Sequence, residues 1–172
     1  QLAQHALSPS IDIPLIVGSH LPDSGGWPNS GRTASEAADK VRELLAVMGR
    51  DSATPVLAGS EHGIAARGNR DPSPATAAII AEAMRDDAPG QLVYAAGAGL
   101  TELALAWQAE PRIGPRLRLI WIGGAEHPGL ALPPPNPDPM EFNFGIDPLA
   151  AQIVFNESDI EIWQVPRNAY RQ

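Results

Sequence analysis

The feature that most restricts the fold is an alternation that runs the length of the chain. Short apolar runs rich in β-branched residues each give way to a segment whose apolar residues recur at helical spacing. The runs at 11–17 (IDIPLIV) and 55–58 (PVLA) close on Gly18 and Gly59, and 91–96 (QLVYAA), 117–122 (LRLIWI) and 160–165 (IEIWQV) supply three more. Proline cannot donate to a ladder, so with Pro14 in the first run the strand begins at Leu15 or lies near an edge. Between the runs, Thr33-Ala-Ser-Glu36 has the spacing of a capping box. Ala37, Val41, Leu44, Leu45 and Met48 form the stripe of the helix that follows, and Gly49 ends it. Ser73-Pro74 opens a second helix with Ala77, Ile80, Ala81 and Met84 inward. Residues 100–109 form a third, with Leu103, Ala106 and Trp107 inward. Asp147-Pro148 opens a fourth that buries Leu149, Ala150, Ile153 and Val154.

Strands separated by helices require right-handed crossovers, so the predicted fold class is α/β, a mainly parallel Rossmann-like sheet with helices on both faces. Residues 91–96 show no polar alternation, as expected of a strand covered on both sides. A length of 172 residues suits a single domain over 1–172. Ligands of such a sheet bind beyond the carboxyl ends of the strands, where the polar loops of this chain fall.

Charge and composition exclude several function classes. The net charge of −8 and pI near 4.8 are wrong for a phosphate-backbone partner, so nucleic acid is not expected. No apolar run is long enough for a membrane span, and the N-terminus has neither a basic start nor an apolar signal core, so a soluble chain is expected; it is assigned to the cytoplasm, with an exported location and homo-oligomerisation left open. Without cysteine there is no disulfide framework and no thiol chemistry. The four histidines, His5, His20, His62 and His127, form no constellation, although His20 and His62 follow strands and could border the cleft.

The stretch with most chemical content is 136–158, NPDPMEFNFGIDPLAAQIVFNES. In extended or loop backbone, Glu141 and Asn143 would point one way and Phe142 the other. A carboxylate and an amide so paired can hold two or three sugar hydroxyls, with bonds that strengthen as the ring flattens towards an oxocarbenium-like transition state. Equally, an isolated loop glutamate can be a solvated acid and an asparagine an Asx-turn residue. Upstream, Gly97-Ala98-Gly99 lies between a strand and a helix and could cradle a dinucleotide pyrophosphate, but Glu102 stands where a third glycine belongs and would repel phosphate. Thr101 in the same turn is placed to serve the first turn of the helix.

Glu141-Phe142-Asn143 with Asp147-Pro148 and Ala150-Ala151 resembles the inosine-uridine-preferring nucleoside hydrolase family. Residues 96–104 (AGAGLTELA) are similar to its Gly-Pro-Leu-Thr-Asn-Leu-Ala motif, and Ile120-Trp121-Ile122-Gly123-Gly124 to its strand ending in Met-Gly-Gly. The resemblance implies a nucleoside hydrolase fold and cleavage of the N-glycosidic bond of ribonucleosides to free base and ribose, assisted by calcium. It assigns ribose contacts to Glu141 and Asn143. Asn136 joins them with a one-residue adjustment, since Pro135 fills the aligned place. It also assigns a calcium contact to the backbone carbonyl of Thr101. The family's Asp-x-Asp-x-x-x-Asp-Asp motif and its later His-Asp pair do not occur here, so the chain reads as an incomplete, internal portion of a longer protein, with residues 1–7 as the tail of a helix begun earlier. No catalytic residue is assigned. The alternatives are a catalytically inert sugar- or nucleoside-binding module and the dinucleotide binder.

Overall fold

The computed structural model of the chain describes residues 2–22, 30–50, 54–64, 73–130, 132–133, 135 and 140–170. All five expected strands are present: β1 (Ile16–Gly18), β2 (Val56–Ala58), β3 (Leu92–Ala96), β4 (Leu117–Ile122) and β5 (Glu161–Val165). Every pairing is parallel. β1 pairs with β2, with Val17 opposite Leu57, and β3-β4-β5 form a second group, with Tyr94 opposite Leu119 and Ile120 opposite Trp163. The helices are α1 (Leu2–Leu7), α2 (Thr33–Val47), α3 (Pro74–Ala83), α4 (Thr101–Ala109), α5 (Phe142–Ile146), α6 (Pro148–Asn156) and α7 (Arg167–Tyr170), with a 3-10 segment at Pro111–Arg116.

Helices lie on both sides of β1. Leu15 and Val17 pack into the main core, while the next residue, Gly18, faces α2 so closely that a Cβ there would sit 2.5 Å from the Ala34 carbonyl oxygen. The main core is built on α4, whose Leu103, Ala104, Leu105 and Ala106 are all fully buried, against Leu117, Leu119 and Trp121 of β4 and Ile153 and Val154 of α6. Burial of each leucine here is worth about 2 kcal/mol. β3 departs from expectation. Leu92, Tyr94 and Ala96 face the core, but Val93 is 51% exposed and Ala95 is also exposed, so among the described residues the strand is covered on one face only. Its uniform apolarity concealed this, because valine and alanine are read alike on a wet or a dry face.

Local signals were realised to differing degrees. Gly49 takes a left-handed conformation (φ 67°) and closes α2, with Arg50 N–H donating to the Leu45 carbonyl at 2.8 Å. Ser73 caps α3 reciprocally with Thr76, each side chain accepting from the other's backbone N–H at 3.1 Å. The Thr33–Glu36 box does not form. Thr33 is already inside α2, and the Glu61 carboxylate, from the loop after β2, accepts from Ala34 N–H at 2.8 Å and Ser35 N–H at 3.1 Å. The distant carboxylate wins because it brings full charge to the positive end of the helix. In α3 the buried residues are Ala75, Thr76, Ile79 and Ala83; Ile80 and Met84 pack partly buried against the core as expected, whereas Ala77 and Ala81 are exposed, since Thr76 is drawn inward to a buried carboxylate described below. No helix among the described residues is long and apolar enough to cross a membrane.

Candidate functional site

Three buried carboxylates line up at the carboxyl ends of the strands. Asp147 is 3% exposed and caps α6 as its sequence foretells, Oδ1 accepting from Ala150 N–H at 3.1 Å. Its Oδ2 also accepts from Ile64 N–H at 2.9 Å and from the Thr101 hydroxyl at 2.8 Å. Gly63 permits this approach, because a Cβ there would lie 3.2 Å from the carboxyl group. On its other side the Thr101 hydroxyl meets His20 Nε2 at 2.9 Å, while His20 Nδ1 lies 2.8 Å from the Leu21 carbonyl. A carbonyl only accepts, so Nδ1 carries a hydrogen. His20 is thus a buried tie between the loop after β1 and the start of α4, and nothing local in the sequence signals a partner 81 residues away.

Glu102, the second carboxylate, is 6% exposed at the first turn of α4. It accepts from Ser60 N–H at 2.6 Å, the Ser73 hydroxyl at 2.7 Å and the Thr76 hydroxyl at 2.6 Å. The residue that argued against a phosphate cradle is therefore a structural joint between the exit of β2 and the start of α3. Gly99, the other mark of a cradle, faces Ile146, which a Cβ would meet at 2.6 Å. Close helix packing accounts for that glycine.

Glu141 is the third. It is 3% exposed and directs its side chain to the exit of β4, where Oε2 accepts from Gly124 N–H at 2.7 Å and from Phe144 N–H at 3.0 Å, and Oε1 accepts from the Tyr170 hydroxyl at 2.8 Å. Asn143 reaches the same strand exit, its Nδ2 donating to the Ile122 carbonyl at 2.7 Å. The two residues converge, but not through extended backbone: Glu141 is the N-cap of α5 and Asn143 is inside that helix. The carboxylate caps its own helix, which the sequence offered no periodicity long enough to reveal. Phe142 is turned outward, 42% exposed. Asn136 lies outside the described residues. Glu141 borders an open cavity of about 430 Å³ whose wall includes Trp121, Met140, Phe144, Phe155 and Gln164. Trp121 is pinned there by a bond from its indole N–H to the Ala98 carbonyl at 2.9 Å and by edge-to-face contact with Phe155.

Around Glu141 stands a buried ion pair that the sequence did not announce. Arg167, at the start of α7, engages Glu126 with two nitrogens, at 2.5 and 2.7 Å, and both side chains are under a tenth exposed. The hydrogen bond to Glu126 holds the guanidinium above its ordinary pKa, against desolvation, with smaller help from the charges of Glu126, Tyr170 and Glu141. Among the described residues no three His, Cys, Asp or Glu side chains are grouped to hold a metal, and Asp147, the carboxylate nearest the Thr101 side chain, is engaged with three donors. The described residues do not by themselves make a calcium site.

Parallel strands, a buried helix behind them and polar loops at the strand exits define a Rossmann-like α/β protein, and solved nucleoside hydrolases share the fold. The inosine-uridine preferring nucleoside hydrolase of Bacillus anthracis matches 77% of this chain and 51% of its own, with a TM-score of 0.57 and 21% identity. An inosine-guanosine nucleoside hydrolase matches 96% of this chain and 55% of its own, with a TM-score of 0.63 and 16% identity. The model of the family described as inosine-uridine preferring nucleoside hydrolase matches residues 28–172, and the chain belongs to that family. Curated members from Leishmania major and Crithidia fasciculata are 40% identical over 81 residues and 39% identical over 88, which is 46% and 51% of this chain. The matched stretches are 24% and 25% of those relatives, so the chain spans about a quarter of the curated relatives it matches.

Proposed function

We propose that residues 1–172 form one domain of a cytoplasmic enzyme that hydrolyses the N-glycosidic bond of ribonucleosides, releasing base and ribose, and that Glu141 and Asn143 hold the ribose hydroxyls. The observation that carries this reading is the convergence of the two side chains on the exit of β4, where Glu141 borders an open cavity. A carboxylate offers roughly four acceptor positions. Three donors occupy Glu141, so one position on Oε1 remains for a sugar hydroxyl. Asn143 Oδ1 accepts nothing from the described residues and is free to take a second. These bonds hold the sugar and strengthen as positive charge develops on its ring. The calcium implied by family resemblance would supply an activated water in the complete enzyme. It would need carboxylates beyond the described residues, with Thr101 giving its backbone carbonyl.

A second reading, an inert nucleoside- or sugar-binding module, is favoured by one observation: Glu141 spends most of its acceptor capacity on its own chain. Calorimetric titration with D-ribose and with inosine, alongside an assay for released reducing sugar, separates the two. Asn143→Ala and Glu141→Gln should each weaken binding about tenfold or more, with the far-ultraviolet spectrum unchanged. Binding without hydrolysis in the complete gene product supports the inert module. Wild-type protein that takes up neither ligand refutes both.

A further inference from the structure

The segment that completes the surroundings of Glu141 comes from after β5. Gln164 donates from Nε2 to the Gly123 carbonyl at 2.9 Å, and Arg167 donates its backbone N–H to the Gly124 carbonyl at 3.0 Å. The Arg167 guanidinium clasps Glu126 in a buried two-point pair, and the Tyr170 hydroxyl donates to Glu141 Oε1 at 2.8 Å. Gly124 fits under this strap because it is glycine: its φ is 89°, and a Cβ would lie 2.3 Å from Gln164 Nε2. The strap therefore grips both the strand-exit loop below the carboxylate and the carboxylate itself.

The two oxygens of Glu141 are held differently. Oε2 is fixed by two backbone amides, whereas Oε1 has the phenol as its one donor among the described residues. Two donors on a single oxygen leave the carboxylate free to twist about that anchor. The phenol removes the twist and decides where the remaining acceptor direction of Oε1 points. We propose that Tyr170 is a positioning residue for Glu141, orienting its free acceptor towards a ligand hydroxyl, with the Arg167–Glu126 pair setting the height of the strap that delivers it. The proposal rests on the sugar-binding reading of Glu141 given above.

Tyr170→Phe removes one hydroxyl and keeps the ring. Two measurements decide the matter: hydrogen exchange at the Gly124 and Phe144 amides, with Ala150 N–H as the control capped by Asp147, and calorimetric affinity for D-ribose. We expect exchange at Gly124 and Phe144 to quicken about tenfold with Ala150 unchanged, and ribose affinity to fall about tenfold, since a bond to a charged acceptor is lost. Unchanged exchange at both amides overturns the proposal whatever the sugar does, and so does unchanged ribose affinity in a variant whose amides have moved. Wild-type protein that binds no ribose refutes the sugar reading instead, and amide exchange then decides alone whether Tyr170 orients the carboxylate.

Discussion

Replacing Asp147 by alanine should cost this chain a large part of its stability, and the structure says why. The carboxylate is the cap of α6 and the acceptor for Ile64 N–H and the Thr101 hydroxyl, all in a site 3% exposed. Loss of the cap costs about 1 kcal/mol. The Ile64 amide, left buried with no acceptor, costs about 2 kcal/mol more. The Thr101 hydroxyl adds less, because it can turn to donate to His20 Nε2, 2.9 Å away. The total of roughly 3 kcal/mol compares with the 5–15 kcal/mol that holds a typical domain. In urea, with a slope of about 2 kcal/mol per molar, the midpoint should fall by about 1.5 M at unchanged slope. Asp147→Asn keeps the shape but turns one acceptor into a donor facing a donor, and should fall between. An alanine variant whose midpoint lies within about 0.3 M of the parent would refute the idea that this carboxylate joins the three segments.

Glu102→Ala should strand Ser60 N–H, while the Ser73 and Thr76 hydroxyls, 3.0 Å apart, re-pair with each other. We expect a loss of about 2 kcal/mol and faster amide exchange at Ser60 and the start of α3, and unaltered exchange there would contradict the joint. Burial, with a lesser push from the charge of Glu102, holds the Tyr94 phenol above its ordinary pKa. Its folded value exceeds its unfolded one, so its contribution to stability is intact below about pH 10 and is lost as pH rises beyond that. Phenolate absorbance should therefore show a tyrosine that ionises late and together with unfolding. Tyr94→Phe should flatten the alkaline decline, and an equally steep decline in that variant would count against it.

What could be read from the sequence was chemistry confined to three or four neighbouring residues. Ser73 with Thr76, Asp147 with Ala150, and Gly49 after its helix are contacts whose partners are fixed by the helical repeat, so residue type and spacing suffice to find them. The five strands and their parallel order followed from the alternation, and the family from the motifs around Thr101, Gly123 and Glu141. The Thr33–Glu36 box had equally good spacing and still failed, since Glu61 arrives from another loop with a stronger interaction.

Tertiary structure alone decided everything that depends on which loops meet. His20 looked like a stray loop histidine and is a buried tie to Thr101, Glu102 looked like a misplaced helix-start acid and is a joint, and Tyr170 drew no notice before its hydroxyl was seen on Glu141. The physical reason is the same in each case. A single side chain's choice between water and a buried partner depends on what the fold brings within 3 Å, and no local periodicity encodes that. Strand and helix identities were settled by near neighbours along the chain, whereas the environment of each polar group was settled by neighbours in space.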